Sequence, residues 1–270
     1  MKKIITLLLC LAFICSAFLF ASCDTNNTDE STSSDTNEST NQSNSNQDDN
    51  STLNGKTAEE LYSLALEKLQ NLTNFEMIST QAITLSYEGE SETANQTTIT
   101  KINGTNCYMK TESELSEEAN MEIWYVDEWY YIIKGNIQNK AHLTWDKMQE
   151  YMPQGSSGDS ILMNFPKEWF KDIQFKQEEE KYYIEFILSG NDYLNYIESN
   201  INFGVDMSML EDISYRVYFD QDGNIGDIVT EFELVVEGIS FRCKGTSWVT
   251  NIDSTVIEAP EGNFTEVILQ

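Results

Sequence analysis

The sequence predicts an α+β domain built on an antiparallel sheet, and three observations lead there. One well-capped amphipathic helix opens the folded part. Runs alternating with a period of two follow it and return near the C-terminal end. Between the two sets of runs lies a stretch whose apolar spacing is helical.

The first element belongs outside the fold. Met1-Lys2-Lys3 gives a basic start, Ile4 to Phe20 is apolar apart from Thr6 and Ser16, and small residues precede Cys23. Residues 1–22 read as a secretory signal, since the run is shorter than a comfortable membrane span and ends at a small-small-Cys site rather than at basic residues. The Ala21-Ser22-Cys23 ending resembles the lipobox of bacterial lipoproteins, with the usual Leu one place early at Leu19. That resemblance implies a diacylglycerol-modified Cys23 that becomes the new N-terminus and anchors the chain to the membrane.

Residues 24–54 are almost entirely Ser, Thr, Asn, Asp, Glu and Gln, with only Leu53 apolar. Such a segment buries too little surface to offset its ordering entropy, so 23–54 reads as a lipidated cysteine and a solvated tether. Its root-mean-square reach is about 30 Å, which would hold a domain clear of the membrane on the extracytoplasmic side. Residues 55–270 are then expected to form one domain, large enough for a single sizeable core.

Composition narrows the partners. The formal net charge is −29, and removing the signal takes away two lysines and no acids. A polyphosphate backbone needs clustered Lys and Arg, so nucleic acid is excluded as a natural partner; the acidic surface reads as a solubilising one on a monomer. Cys107 and Cys243 are the cysteines of the domain, and either a disulfide or two buried thiols fits them. Cys243 alternates in step with Ile239 and Phe241, which places it on a core face in either state.

Thr57-Ala58-Glu59-Glu60 is a capping box, and Leu61, Leu64, Ala65, Leu69 and Leu72 form one stripe of a helix over 58–72. Strands follow near 75–87, 93–102 and 106–114, with Asn103-Gly104 marking a tight hairpin. Ile123-Trp124-Tyr125-Val126, a two-residue Asp127-Glu128 turn, and Trp129 to Ile133 make the most apolar hairpin. Its pairing puts Trp124, Val126, Trp129, Tyr131 and Ile133 on one face and Ile123, Tyr125, Tyr130 and Ile132 on the other. Both faces are apolar, so protein must cover both, or a ligand one of them.

Helical spacing marks 145–151, 160–164, 167–173 and 192–200, with Tyr182, Ile184, Phe186 and Leu188 alternating as a strand between the last two. The Gly-Ser stretch 155–158 reads as a loop. Strands resume at 212–219, 225–237 and 239–250.

Catalytic signatures are missing. His142 is the single histidine, read as a surface loop residue, and there is no His-Glu-x-x-His, Gly-x-Ser-x-Gly or Cys-x-x-Cys. We therefore expect no enzyme, no catalytic residues, no metal and no cofactor. Asp220-Gln221-Asp222-Gly223-Asn224 superficially resembles a calcium loop, but an EF-hand has its glycine at position six and here it stands at four, so a hairpin turn is the better reading.

The lipobox, polar tether, capped helix, Trp-Tyr-Val-Asp-Glu-Trp-Tyr-Tyr hairpin at 124–131, helical middle and Tyr218-Phe219-Asp220…Gly223 hairpin together resemble the LolA-like lipoproteins of Gram-positive bacteria. The resemblance spans roughly 55–270 and implies a half-barrel: a strongly curved antiparallel sheet whose concave face is closed by helices. It also implies a binding role, with the concavity taking acyl chains. Trp124, Trp129 and Tyr131 are the candidate ligand-binding residues, with an apolar or lipidic ligand as the partner. The competing reading is a wall-side interaction or sensory module with a filled core and a protein or peptide partner on its surface.

Overall fold

A computed structural model describes residues 52–151, 165, 167–178, 181–200, 207–236 and 238–268. Leu53 is buried, and Asn54 donates to the Gln221 carbonyl. Helix α1 (Ala58–Gln70) follows from the capping box: the Glu60 N–H donates to Thr57 Oγ1 at 3.3 Å and the Thr57 N–H to Glu60 Oε2 at 2.8 Å. Ala58, Leu61, Ala65 and Leu69 form its buried stripe.

β1 (Asn74–Tyr87), β2 (Glu90–Asn103) and β3 (Asn106–Ser113) form the expected meander, with Gly104 at φ 61 in the tight turn between β2 and β3. β4 (Met121–Val126) and β5 (Trp129–Lys134) make the apolar hairpin; Asp127 and Glu128 both take positive φ (51 and 64), the twist a two-residue hairpin turn demands. β6 (Ile137–His142) and α2 (Trp145–Tyr151) complete the first half. β7 (Phe170–Glu178), β8 (Lys181–Leu188), α3 (Gly190–Asn200) and β9 (Met207–Leu210) follow. β10 (Ile213–Phe219), β11 (Ile225–Val236), β12 (Ile239–Thr250) and β13 (Thr265–Glu266) end the chain.

All thirteen strands join one sheet in the order β13-β6-β5-β4-β3-β2-β1-β12-β11-β10-β8-β7, with β9 extending the edge of β11. Neighbours are antiparallel apart from β13 with β6. The long β1–β12 pairing, from Glu76 opposite Thr250 to Ser86 opposite Ser240, joins the two strand sets. The two ends of the order do not pair, so the sheet curves without closing: the half-barrel expected from the resemblance.

One expectation is corrected. Residues 167–173 are not a helix: a 3-10 turn over Lys167–Trp169 leads into β7. A bulge between Phe170 and Asp172 sets Phe170 opposite Leu188 and Ile173 opposite Phe186, so both face inward although three apart. The bulge mimics helical spacing. The helical signal at 160–164 and the loop at 155–158 lie outside the described residues. The 220–224 segment is the hairpin turn, with Asp220 Oδ1 accepting from the N–H groups of Asp222 and Asn224.

The sheet's inner face carries the core. On its β7–β10 side aromatic rings fill the space under the helices. Phe186 stacks on Tyr215 at 5.0 Å, Tyr62 of α1 meets Phe170 and Phe186 at 5.2 Å each, and Phe165 meets Tyr193 of α3 at 5.7 Å. Among the described residues no helix is long and apolar enough to cross a membrane.

On the outer face, Glu185 accepts from Arg216 Nε at 2.7 Å and from Lys176. Burial works against ionisation of Glu185, yet those hydrogen bonds hold its pKa below the usual value. Asp212 is lowered likewise, against its burial, by Lys171 and the Gly190 N–H. A carboxylate whose folded pKa is depressed stabilises the fold above its unfolded pKa of about 4, and the contribution is lost as pH falls through the folded value. We predict that Arg216→Met loses measurably more stability at pH 6 than at pH 3 in urea melts; equal losses at both would refute the linkage.

Candidate functional site

The three candidate aromatic residues come together, but on the outer face. Inner positions follow from the register: Cys107 lies opposite Tyr125, and Tyr125 opposite Tyr130, and all three belong to the core or pack on it. Trp124, Trp129 and Tyr131 have the other parity. The expectation that they line the concavity is corrected, because a shift of one residue along a strand exchanges faces.

Protein covers both faces of this hairpin. Inside, Tyr125 packs on Trp145 of α2 at 5.3 Å and donates its hydroxyl to the Leu143 carbonyl at 3.1 Å. Outside, Trp124 meets Tyr108 at 5.0 Å, and Trp129 meets His142 edge-on at 5.2 Å with Lys140 Nζ 4.8 Å over its ring. Tyr131 meets Phe264 of the C-terminal segment at 5.2 Å. That segment is fastened by Asn74, which accepts from the Thr255 N–H at 2.8 Å and donates to its carbonyl. The rings of the outer cluster remain half-buried.

The inner face holds two rows of polar residues that periodicity did not reveal. Across it the register aligns Thr111, Thr98, Ser79 and Ser247 in one row, and Ser113, Gln96, Gln81, Gly245 and Thr230 in the next. The lane runs over β3, β2, β1, β12 and β11, about 19 Å at about 4.8 Å per strand. Ser79, Gln81, Gln96, Thr98, Thr111, Thr230 and Ser247 are all buried. Some satisfy one another: Ser79 and Ser247 hydroxyls bond at 2.8 Å, and Gln96 Nε2 donates to Gln81 Oε1 at 3.4 Å. Three oxygens do not: Gln96 Oε1, Thr100 Oγ1 and Thr230 Oγ1 are buried without a hydrogen-bond partner in the protein.

Apolar rows border the lane. Ala94, Ile83, Cys243 and Phe232 run along one side; Met109, Met77 and Val249 run with Thr100 along the other. No charged residue stands at the inner positions from Phe75 to Leu85, Ala94 to Ile102, Cys107 to Ser113, Ile228 to Leu234 or Phe241 to Val249. Among the described residues no group of three His, Cys, Asp or Glu comes together to hold a metal ion.

Both domain cysteines are free and buried, and both face inward. Burial, partly offset by a backbone hydrogen bond at Tyr125, pushes the Cys107 thiol up to about 12, so almost no thiolate is present at neutral pH. We predict that neither thiol is alkylated by iodoacetamide in the native chain at pH 7.5 within an hour, while both react in urea. Fast native labelling of either would contradict the packing.

No family model and no curated protein matches the chain. Among solved structures the chain is similar to LprF from Mycobacterium bovis at 9% identity and a TM-score of 0.39, over 76% of this chain and 97% of that one. It is similar to a LolA superfamily protein from Nitrosomonas europaea at 12% and 0.26, over 72% and 94%. The third similarity, at 10% and 0.27 over 75% and 96%, is to a putative outer membrane lipoprotein-sorting protein domain from Vibrio parahaemolyticus.

Proposed function

We propose that this chain is a membrane-anchored extracytoplasmic lipoprotein that binds an apolar or lipidic ligand against the inner face of its half-barrel. The observation that carries the reading is the uncharged inner face of an unclosed sheet, apolar along both borders of the central lane. Aromatic rings pack the β7–β10 side of that face, and we assign the ligand to the β1–β3 and β11–β12 portion, whose inner side chains are mostly buried and uncharged. Native mass spectrometry of the protein taken from its natural host tests it: added mass that extracts as lipid is the expected result, and a bare chain would overturn the reading.

The anchor is a separate part of the proposal, resting on Cys23 and the polar stretch that follows. Cys23→Ser should release the protein into the medium or leave it as uncleaved precursor, as read by fractionation and acyl labelling. Undiminished acyl label in the membrane fraction would refute the assignment.

The outer cluster favours a second reading. Trp124, Trp129 and Tyr131 with Lys140 form a half-exposed aromatic surface, the kind of face that engages a protein or peptide partner in the wall. Retention of inner-face lipid by Trp129→Ala, with loss of a cross-linked partner, would separate this role from ligand binding.

A further inference from the structure

We propose that the open edge of β7 pairs with the same edge of a second copy of this chain, joining two half-barrels in one continuous sheet about a two-fold axis at Gln174. The pairing goes beyond ligand binding and does not depend on what the inner face holds.

The two ends of the sheet are finished differently. β6 is covered by the chain itself: β13 pairs with it, and the Val267 N–H donates to the Lys140 carbonyl at 2.9 Å. β7, nine residues long, ends the strand order, and among the described residues no strand pairs with its far edge. Glu178 pairs with Lys181 across only two residues, so Glu178, Lys176 and Gln174 exchange their main-chain bonds with β8, while Phe175 and Ile173 between them turn theirs to the far edge. An open row of this kind is a template for another strand.

The side chains choose which strand. Asp172, Gln174 and Lys176 lie on the outer side of β7, and Ile173 and Phe175 on the inner side, half-buried against the core. Glu185 takes two cations, Arg216 at 2.7 Å and Lys176. Asp172 accepts from Gln174 Nε2 at 2.6 Å and meets no cation among the described residues, since its neighbour Lys171 is engaged by Asp212 at 2.7 Å. The outer side therefore carries a surplus cation at 176 and an unmatched anion at 172.

Antiparallel pairing of two copies centred on Gln174 sets Asp172 opposite the partner's Lys176, and Lys176 opposite the partner's Asp172. The same register sets Ile173 opposite the partner's Phe175, residues whose main-chain groups both face the far edge, so each such pair can exchange both hydrogen bonds and bring apolar side chains together on the inner side. A two-fold interface makes every such contact twice. Other registers that keep the faces aligned are poorer. Centring on Asp172 or Lys176 sets a like charge against itself, centring on Phe175 sets Asp172 against the partner's Glu178, and centring on Ile173 makes no opposite-charge pair. A lysine on an open edge deters unrelated strands, and self-pairing supplies its counter-ion.

Copies of net charge −29 repel at long range, so the pair is best read in intact cells making the full chain. Gln174→Cys would be treated there with copper phenanthroline. At the two-fold axis the two Cα atoms of that position lie about 4.5 Å apart, within disulfide reach. The expected result is a disulfide-linked dimer at least about tenfold more abundant than with Glu178→Cys, whose copies would lie about 27 Å apart. Adding Asp172→Lys or Lys176→Asp to Gln174→Cys should cut the dimer about tenfold, and co-expressing the two charge variants should restore it, because each then offers the other the opposite charge. Restoration also shows that both variants fold. Cross-linking at Gln174 no greater than at Glu178, or unmoved by the charge changes, or lost and not restored by the mixture, would each overturn the pairing. A cross-link from Gln174→Cys to a different protein would overturn the choice of a second copy as the partner.

Discussion

Phe241→Ala should cost about 3–5 kcal/mol of stability and lower the melting temperature by roughly 10 °C. Phe241 is completely buried, facing Leu85 of β1 on one side and Leu234 of β11 on the other. Its strand, β12, is the one through which the N-terminal meander joins the C-terminal strands. Truncation removes the ring's transfer energy and leaves a cavity in a close-packed layer, and a sheet pinned from both sides cannot collapse into it. Trp124→Ala removes a larger side chain yet should cost distinctly less, because that ring is half-buried and part of its surface already faces water. Urea melts of both variants decide the point, and a Trp124→Ala loss equal to that of Phe241→Ala would contradict the assignment of inner and outer faces.

That pair of residues also shows what could be read from the sequence. Alternation identified Phe241 and Cys243 as inward-facing, because apolar and polar residues alternate cleanly over Phe241-Arg242-Cys243-Lys244. It could not rank the two faces of the 121–134 hairpin, since both are apolar; the face is set by pairing with β3, where Cys107 lies opposite Tyr125. Strand positions were legible wherever turn residues bounded them. β7 was not, because its bulge brings Phe170 and Ile173 to one side at helical spacing. β6, with Gln138, Asn139 and Lys140 at its centre, has little apolar signal and exists through its pairing with β5.

The polar lane was hidden for a related reason. In β2 the inward positions read Ala94, Gln96, Thr98, Thr100, Ile102, and a hydrophobicity pattern sees only the two ends. Parity was the available signal: two apolar residues eight apart in one strand share a face, so the polar residues between them are carried inward as well. The lane then becomes visible only once the register of β1, β12 and β11 is known, which no local pattern supplies.

Gly190→Ala should be the most damaging single-methyl change in the described chain, costing about 3 kcal/mol or more and lowering the melting temperature by roughly 6–12 °C. A Cβ at Gly190 would overlap the backbone carbonyl oxygens of both Leu210 and Glu211. Those oxygens cannot easily retreat: Leu210 is paired with Leu234 of β11, and the Glu211 N–H donates to the Glu233 carbonyl at 2.8 Å. The glycine is held from its own side too. Its N–H donates to Asp212 Oδ1 at 3.2 Å, and Ser189 before it caps α3, with Oγ accepting from the Asp192 N–H at 3.3 Å. Sequence reading starts this helix at Asp192, two residues after the glycine, and the constraint on Gly190 is tertiary. Gly226→Ala is the matched control, because a Cβ there would meet the Tyr218 carbonyl at 3.6 Å, ordinary contact, and the change should be neutral or slightly stabilising. Ser189→Ala, which removes only the cap, should cost about 1 kcal/mol. If thermal melts place Gly190→Ala beside Gly226→Ala, the close approach of α3 to the β9–β10 connection is wrong; if they place it well below Ser189→Ala, the backbone contact, and not the cap, sets how α3 docks on the sheet.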